Sequence, residues 1–332
     1  MERIGVEFVA GLQPNEIVEC VKYAEELGYE SAWMAEGHSG DQFSILTACA
    51  LQTERILLGT GITVVFVRSA PTVAMAAACV DQFSGGRFIL GLASGHREMV
   101  EGEHGIRYHR PIQHVREYVQ IVRGLLRDGE IRYSGEQIKI ENFDLWFKPF
   151  RKSIPVYLGA VNPRMLEVCG EIADGVMLTH ITVEKAREAV EQIETGARLA
   201  GRQPEEVDIS ALWGCCVADD RDEARERYRD YLALYPIRLA RYRRIMVEAG
   251  FEREVKAIKL ANEEGDINLA RSLVPDELID LIGLVGTPDD ITRRIQEYRE
   301  AGVGLPIVAP VVDGPMAMEQ VKWMMRACVS SP

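Results

Sequence analysis

The sequence predicts an α/β chain folded as a (β/α)8 (TIM) barrel, on three observations. Short β-branched or apolar runs alternate with longer segments of helical period along nearly the whole chain, the pattern of repeated strand–helix units. Eight such runs can be counted, the number that closes a parallel barrel. A length of 332 residues suits one barrel carrying insertions, and no Pro/Gly/Ser-rich linker divides it. The chain is read as a single domain over residues 1–332, with insertions after the fourth strand and before the eighth.

The first strand is expected over Ile4 to Phe8 and is followed by a helix from Pro14 to Leu27, opened by proline and stopped by Gly28. The second strand is Ser31 to Ala35, then a helix from about Asp41 to Thr53 leads to the third, Ile56 to Phe66. A small-residue-rich helix from Thr72 to Phe83 precedes the fourth, Arg87 to Ala93. An excursion then holds a helix near Ile112 to Arg127 and a hairpin from Glu130 to Ile140. The repeat resumes with Val156 to Ala160, Gly175 to His180 and Asp208 to Ala218 as strands five to seven, and Pro306 to Val312 as the eighth. Between the last two lies a charged, largely helical stretch, about residues 221–285, read as an insertion covering one side of the barrel mouth.

A formal charge of −13 disfavours a nucleic-acid partner, which calls for a basic face. No apolar run approaches the ~20 residues that span a bilayer, and MERIGVEFVA reads as a strand rather than a secretion signal, so a cytoplasmic location and no membrane partner are expected. The seven cysteines include no C-x-x-C pair and read as reduced core residues. His104, His109 and His114 are spaced by five, which does not share a helix face, so no metal site is expected.

Chemistry in a barrel sits on the loops after the strands. Nucleotide-binding glycine motifs, a serine-hydrolase elbow and H-E-x-x-H are all missing. The strand ends carry instead Glu7, Glu36 with His38, the run Gly59 to Ile62, Ser94-Gly95-His96, Gly159-Ala160, Asn162-Pro163, and His180. Glycines there let backbone approach a ligand, and a helix opened by Asn162 and Pro163 aims free N–H groups at it. Glu7 alternates out of phase with Val6 and Phe8, which points it into the barrel lumen. A charge there needs a partner: either a cationic substrate or an arginine such as Arg68.

IGVEFV, LGTGITVVFVRSAPTVA, DQFSGGRFILGLASG, IPVYLGAVNPRMLEVCGEIADGV and VGTPDD follow one another in order through the chain. Together they resemble the luciferase-like superfamily, and within it they are most similar to the methylenetetrahydromethanopterin reductases and related oxidoreductases that depend on coenzyme F420. The resemblance thins over Arg221 to Asp280. It implies hydride transfer between coenzyme F420 and a small organic substrate; the alternatives are an FMN-dependent monooxygenase or reductase on the same scaffold, and a flavin-binding protein without turnover. It implies a cofactor phosphate cradled at Ser94, Gly95, Gly159 and Ala160, with Gly61, Ile62, His96, Val161 and His180 as further cofactor contacts. It also implies a cis peptide between Gly61 and Ile62, and catalytic roles for Glu7, Glu36 and His38. One departure stands out. Relatives place a histidine directly after the strand-two acid, where this chain has Gly37 before His38. A homodimer is expected from the resemblance, through the early helices, where Ala74, Ala76, Ala77 and Ala78 would permit close approach.

Overall fold

The computed structural model describes residues 2–312 and 314–329. Eight parallel strands form a closed ring: β1 (Gly5–Phe8), β2 (Ser31–Met34), β3 (Leu57–Thr60), β4 (Phe88–Ala93), β5 (Val156–Gly159), β6 (Gly175–Thr179), β7 (Asp208–Val217) and β8 (Leu305–Pro310). Each pairs with its successor, and β8 closes on β1 through Gly5 opposite Ile307. The eight predicted strands are these eight.

Local chemistry sets the helix ends. The helix Pro14–Leu27 has proline in its first turn and Gly28 at φ 86° behind it. Asp41 caps Gln42–Gln52 by accepting the Ser44 amide at 2.9 Å, and Ser69 caps Ala70–Phe83. The excursion after β4 contains Arg97–Gly102, Pro111–Asp128 and an antiparallel hairpin, Glu130–Ser134 with Lys139–Asp144, that runs beyond the expected Ile140. Its turn is held by the buried carboxylate of Glu117, which accepts the amides of Glu136 and Ile138 at 2.8 Å each.

The barrel has two apolar layers. Outside the strands, Val6, Phe8, Leu58, Leu90, Val156 and Leu158 pack on the helices, and each such side chain contributes roughly 1.5–3 kcal/mol. Inside, Trp33, Ile89, Tyr157, Met177, Leu305 and Ile307 fill the lumen, with the Trp33 and Tyr157 rings 5.5 Å apart. The mouth therefore opens above a solid plug. At the opposite end, Arg3 bridges Glu30 and Asp208 at 2.8 and 2.7 Å.

Four expectations change. The third run breaks after Thr60, where Thr63–Val64 forms a separate two-residue strand beside Leu92 and Ala93 of β4, while the cis peptide expected between Gly61 and Ile62 is present. A further parallel segment, Leu284–Gly286, pairs with Cys215–Val217 at the far end of β7. Ala74, Ala77 and Ala78 are fully buried against the chain's own core, so the face left open by that helix is Met75, Cys79 and Phe83. Five cysteines are buried as expected, but Cys79 is exposed and Cys328 half-buried.

The segment between β7 and β8 consists mostly of helices, from Arg221–Leu234 through Ala240–Glu248 and Glu252–Glu263 to Asp276–Ile282. It carries a hydrophobic core of its own, with Tyr228, Leu232, Met246, Ile258, Leu278 and Ile279 buried together.

Candidate functional site

A cavity of about 290 Å³ opens at the carboxyl ends of the strands, and every strand contributes to it or to the loop behind it. Glu7, Glu36, His38, Gly61, Ile62, Gly95, His96, Gly159, Ala160, Val161 and His180 all line it. Ser94 alone of the expected residues is not in the wall. It is buried one residue below, its hydroxyl accepting from Tyr108 at 2.9 Å.

Glu7 stands on β1 behind the Gly61–Ile62 bond and is fully buried, with neither carboxyl oxygen hydrogen-bonded among the described residues. The expected arginine partner is engaged elsewhere: Arg68 donates to Glu36 and Asp41 at 2.5 and 2.6 Å. Burial without a partner pushes the Glu7 carboxyl well above the usual carboxylate range. The lumen thus holds a carboxyl that burial shifts towards its neutral form and that lacks the arginine partner, one of the two expected for this position.

Glu36 has both oxygens occupied. Besides Arg68 it accepts the Val64 amide at 2.5 Å, which ties the end of β2 to the strand that follows the cis bond. His38 is 80% exposed on the rim and pairs with Glu103 at 3.0 Å. Gly37, one place earlier, has open space where a side chain would stand.

On the facing side, His180 adopts a left-handed backbone at φ 48°, is 5% exposed and has its Nε2 3.3 Å from the Tyr231 hydroxyl, while its Nδ1 has no partner among the described residues. Burial first, and then His96, pulls its pKa down to about 4. Burial and the Arg241 charge bring His96 likewise to about 4. Both imidazoles are neutral at neutral pH. The Tyr242 ring stands edge-on to both, at 4.5 Å from His180 and 4.9 Å from His96.

Tyr231, Tyr235, Arg241 and Tyr242 come from the insertion and complete the wall. Sequence reasoning placed that segment over one side of the barrel mouth without choosing residues. A usable signal was present: Tyr228, Tyr231 and Tyr235 recur at spacings of three and four within a strongly charged helix, which puts aromatic rings on one face. Past Gly159, Asn162 occupies the cap position of Pro163–Ile172, yet its side chain makes no capping bond.

The wall joins apolar side chains, among them Ile62, Ala93, Val161, Met177 and Leu212, to polar ones. Such a cavity suits a flat conjugated ring with a polar side chain. Among the described residues no group of three His, Cys, Asp or Glu is placed to hold a metal ion.

Comparison with known proteins agrees with this geometry. The chain is 33% identical to a 5,10-methylenetetrahydromethanopterin reductase of Methanolobus tindarius, over 96% of this chain and 97% of that one. It is 34% identical to the enzyme of the same name from Archaeoglobus fulgidus, over 91% of each. The solved structure of the coenzyme F420-dependent tetrahydromethanopterin reductase from Methanopyrus kandleri superposes with a TM-score of 0.83 at 26% identity, covering 99% of this chain and 98% of that one. Residues 2–304 match the luciferase-like monooxygenase family, and with the barrel, the bulged third strand and the strand-end cavity in place, the chain belongs to that family.

Proposed function

We propose that the protein is an oxidoreductase that transfers a hydride between coenzyme F420 and a small organic substrate, in the manner of the methylenetetrahydromethanopterin reductases to which it is similar. The observation that carries this reading is the buried Glu7 carboxyl, without a hydrogen-bond partner among the described residues, in the strand-end cavity of a chain a third identical to those reductases. When bound, the deazaflavin supplies the hydride or accepts it.

The chain's own residues supply the rest. Ile62, Ala93 and Val161 would give the ring an apolar seat, and the backbone of Gly95, Gly159 and Ala160 would hold its phosphate. Burial favours a proton on the Glu7 carboxyl. The carboxyl gives that proton to an acceptor that lies against it, or, once deprotonated, faces a cationic carbon–nitrogen centre with a negative charge. Glu36 positions the bulge through the Val64 amide rather than touching the reacting atoms. The neutral His180–Tyr231 pair and Tyr242 close the opposite side and keep water from it.

Titrating the purified chain with F420 and with FMN, followed by single-turnover hydride transfer from reduced F420 to a methylene-tetrahydropterin, tests the reading. The expected result is tight F420 binding and oxidation on mixing. Tight FMN binding with no F420 binding would replace it with the flavin-dependent alternative.

A further inference from the structure

Two arginines stand in the described wall of the cavity, and their electrostatic situations are opposite. Arg68 is neutralised by Glu36 and Asp41. Arg241, half-buried, makes no ion pair with any carboxylate of the described residues, and its guanidinium reaches a neutral phenol, the Tyr108 hydroxyl, at 3.5 Å. In a chain of net charge −13, a cation left without a counter-charge in a cavity wall is a place where an anion gains free energy.

Its position is fixed by its neighbours. Three consecutive insertion residues attach to the segment after β4: the Ala240 amide donates to Glu98 at 3.1 Å, Arg241 reaches Tyr108, and the Tyr242 ring packs on His96. Tyr108 in turn donates to Ser94, so the guanidinium is brought over the Ser94-Gly95-His96 turn. The same wall includes Gly159 and Ala160 and leads to the helix Pro163–Ile172, whose first turn has no side-chain cap. His96 is neutral there and offers no competing charge.

We propose that Arg241 binds the phosphoryl group of the ring cofactor, reaching down from the insertion to complete an anion site whose other half is the backbone at the ends of β4 and β5. This rests on the reading of the cavity as a ring-cofactor site. The ligand chemistry is a phosphate ester on the side chain of a flavin-like ring, a diester in F420 and a monoester in FMN. The insertion then does two jobs, since the segment that shapes the substrate side also holds the cofactor by its charge.

Fluorescence titration of the full chain and of Arg241→Gln and Arg241→Lys tests this with two ligand pairs: F420 against its phosphate-free ring-and-ribityl fragment, and FMN against riboflavin. Loss of a charge-assisted contact predicts that Arg241→Gln binds the phosphorylated member about 10- to 100-fold more weakly. Its affinity for the phosphate-free member should be unchanged, and Arg241→Lys should recover part of the loss. Melting temperatures measured alongside verify that each variant is folded. Equal weakening of both members of a pair would overturn the proposal, because it would mean that Arg241 shapes the pocket and does not bind phosphate. No weakening at all would overturn it too. A wild-type chain that binds FMN and not F420, with the same phosphate-dependent difference, upholds Arg241 while refuting the F420 reading. A wild-type chain that binds neither pair refutes both.

Discussion

The Glu7 carboxyl oxygen Oε1 lies 2.5 Å from the point where a β-carbon on Gly61 would stand. The residue before the cis bond and the acid behind it occupy adjoining space, so neither can change size without moving the other.

Glycine-to-alanine substitutions on the two sides of the bulge should therefore behave differently. At position 61 the added methyl meets the far end of the Glu7 side chain, which can swing. At position 91 it meets the Thr60 carbonyl, backbone that also anchors the bulge through the Thr60 hydroxyl and the Gly91 amide at 2.9 Å. Gly61→Ala is expected to fold with a stability loss of about 1–3 kcal/mol and to lose most of its turnover, whereas Gly91→Ala should fail to give soluble folded chain. Urea melts and single-turnover rates on both variants check this, and a fully active Gly61→Ala would show that the Glu7 carboxyl need not be where it is.

Glu7→Gln should lower turnover by roughly 10²–10³, because the amide keeps the shape and cannot release a proton or carry a charge. Its stability should move the other way. A buried carboxyl with a raised folded pKa favours folding below its unfolded pKa, near the ordinary glutamate value of 4.5, and loses that contribution as pH rises towards the folded pKa. The melting temperature of Glu7→Gln relative to wild type is thus expected to be higher at pH 8 than at pH 5. A variant equally stable at both pH values, with transfer intact, would remove Glu7 from the mechanism.

Histidine 180 gives the opposite slope. With its folded pKa near 4 and an unfolded value of 6.5, the unfolded chain binds the proton first, so wild-type stability falls as pH drops from about 6.5 to about 4. In His180→Asn that part of the acid loss should vanish, leaving a flatter profile of melting temperature across the window. An unchanged profile would place the acid sensitivity on other groups, with His96 the next to test.

Glu36→Gln removes a charged acceptor from both Val64 and Arg68. A loss of about 1–3 kcal/mol in a denaturant melt is expected, together with weaker binding of phosphate-free ring ligands, since Ile62 and Val64 are no longer held. Full retention of ring binding would mean that the bulge does not depend on the Glu36 bond.

Much of this was legible in the sequence because barrel strands announce themselves by burial on both faces and because the rim follows from strand ends. Alternation alone turned Glu7 inward between Val6 and Phe8. The misses share a cause in tertiary structure. The identity of the Glu7 partner could not be read, since Arg68 chooses among Glu7, Glu36 and Asp41 only once the chain is folded. Alanine-rich composition in Ala70–Phe83 signalled close approach and left open to what, and the answer is the chain's own core. Leu284–Gly286 is too short for any periodicity to reveal, and Ser94 turned out to support the rim from beneath.

The separate hydrophobic core of residues 216–285 has a bearing on how such a molecule can diversify. Tyr231, Tyr235 and Tyr242 are carried by a part with a core of its own, so exchanging one for a smaller or more polar side chain leaves that core in place, and the direct cost falls on what the ring itself touches, Gly214 of β7 and His180 in the case of Tyr231. New substrates can be explored on that cassette by ordinary point substitution while the floor around Glu7 and Gly61 stays under unrelenting constraint. Variation between orthologues should accordingly pool on one side of a single cavity and fall away sharply on the other.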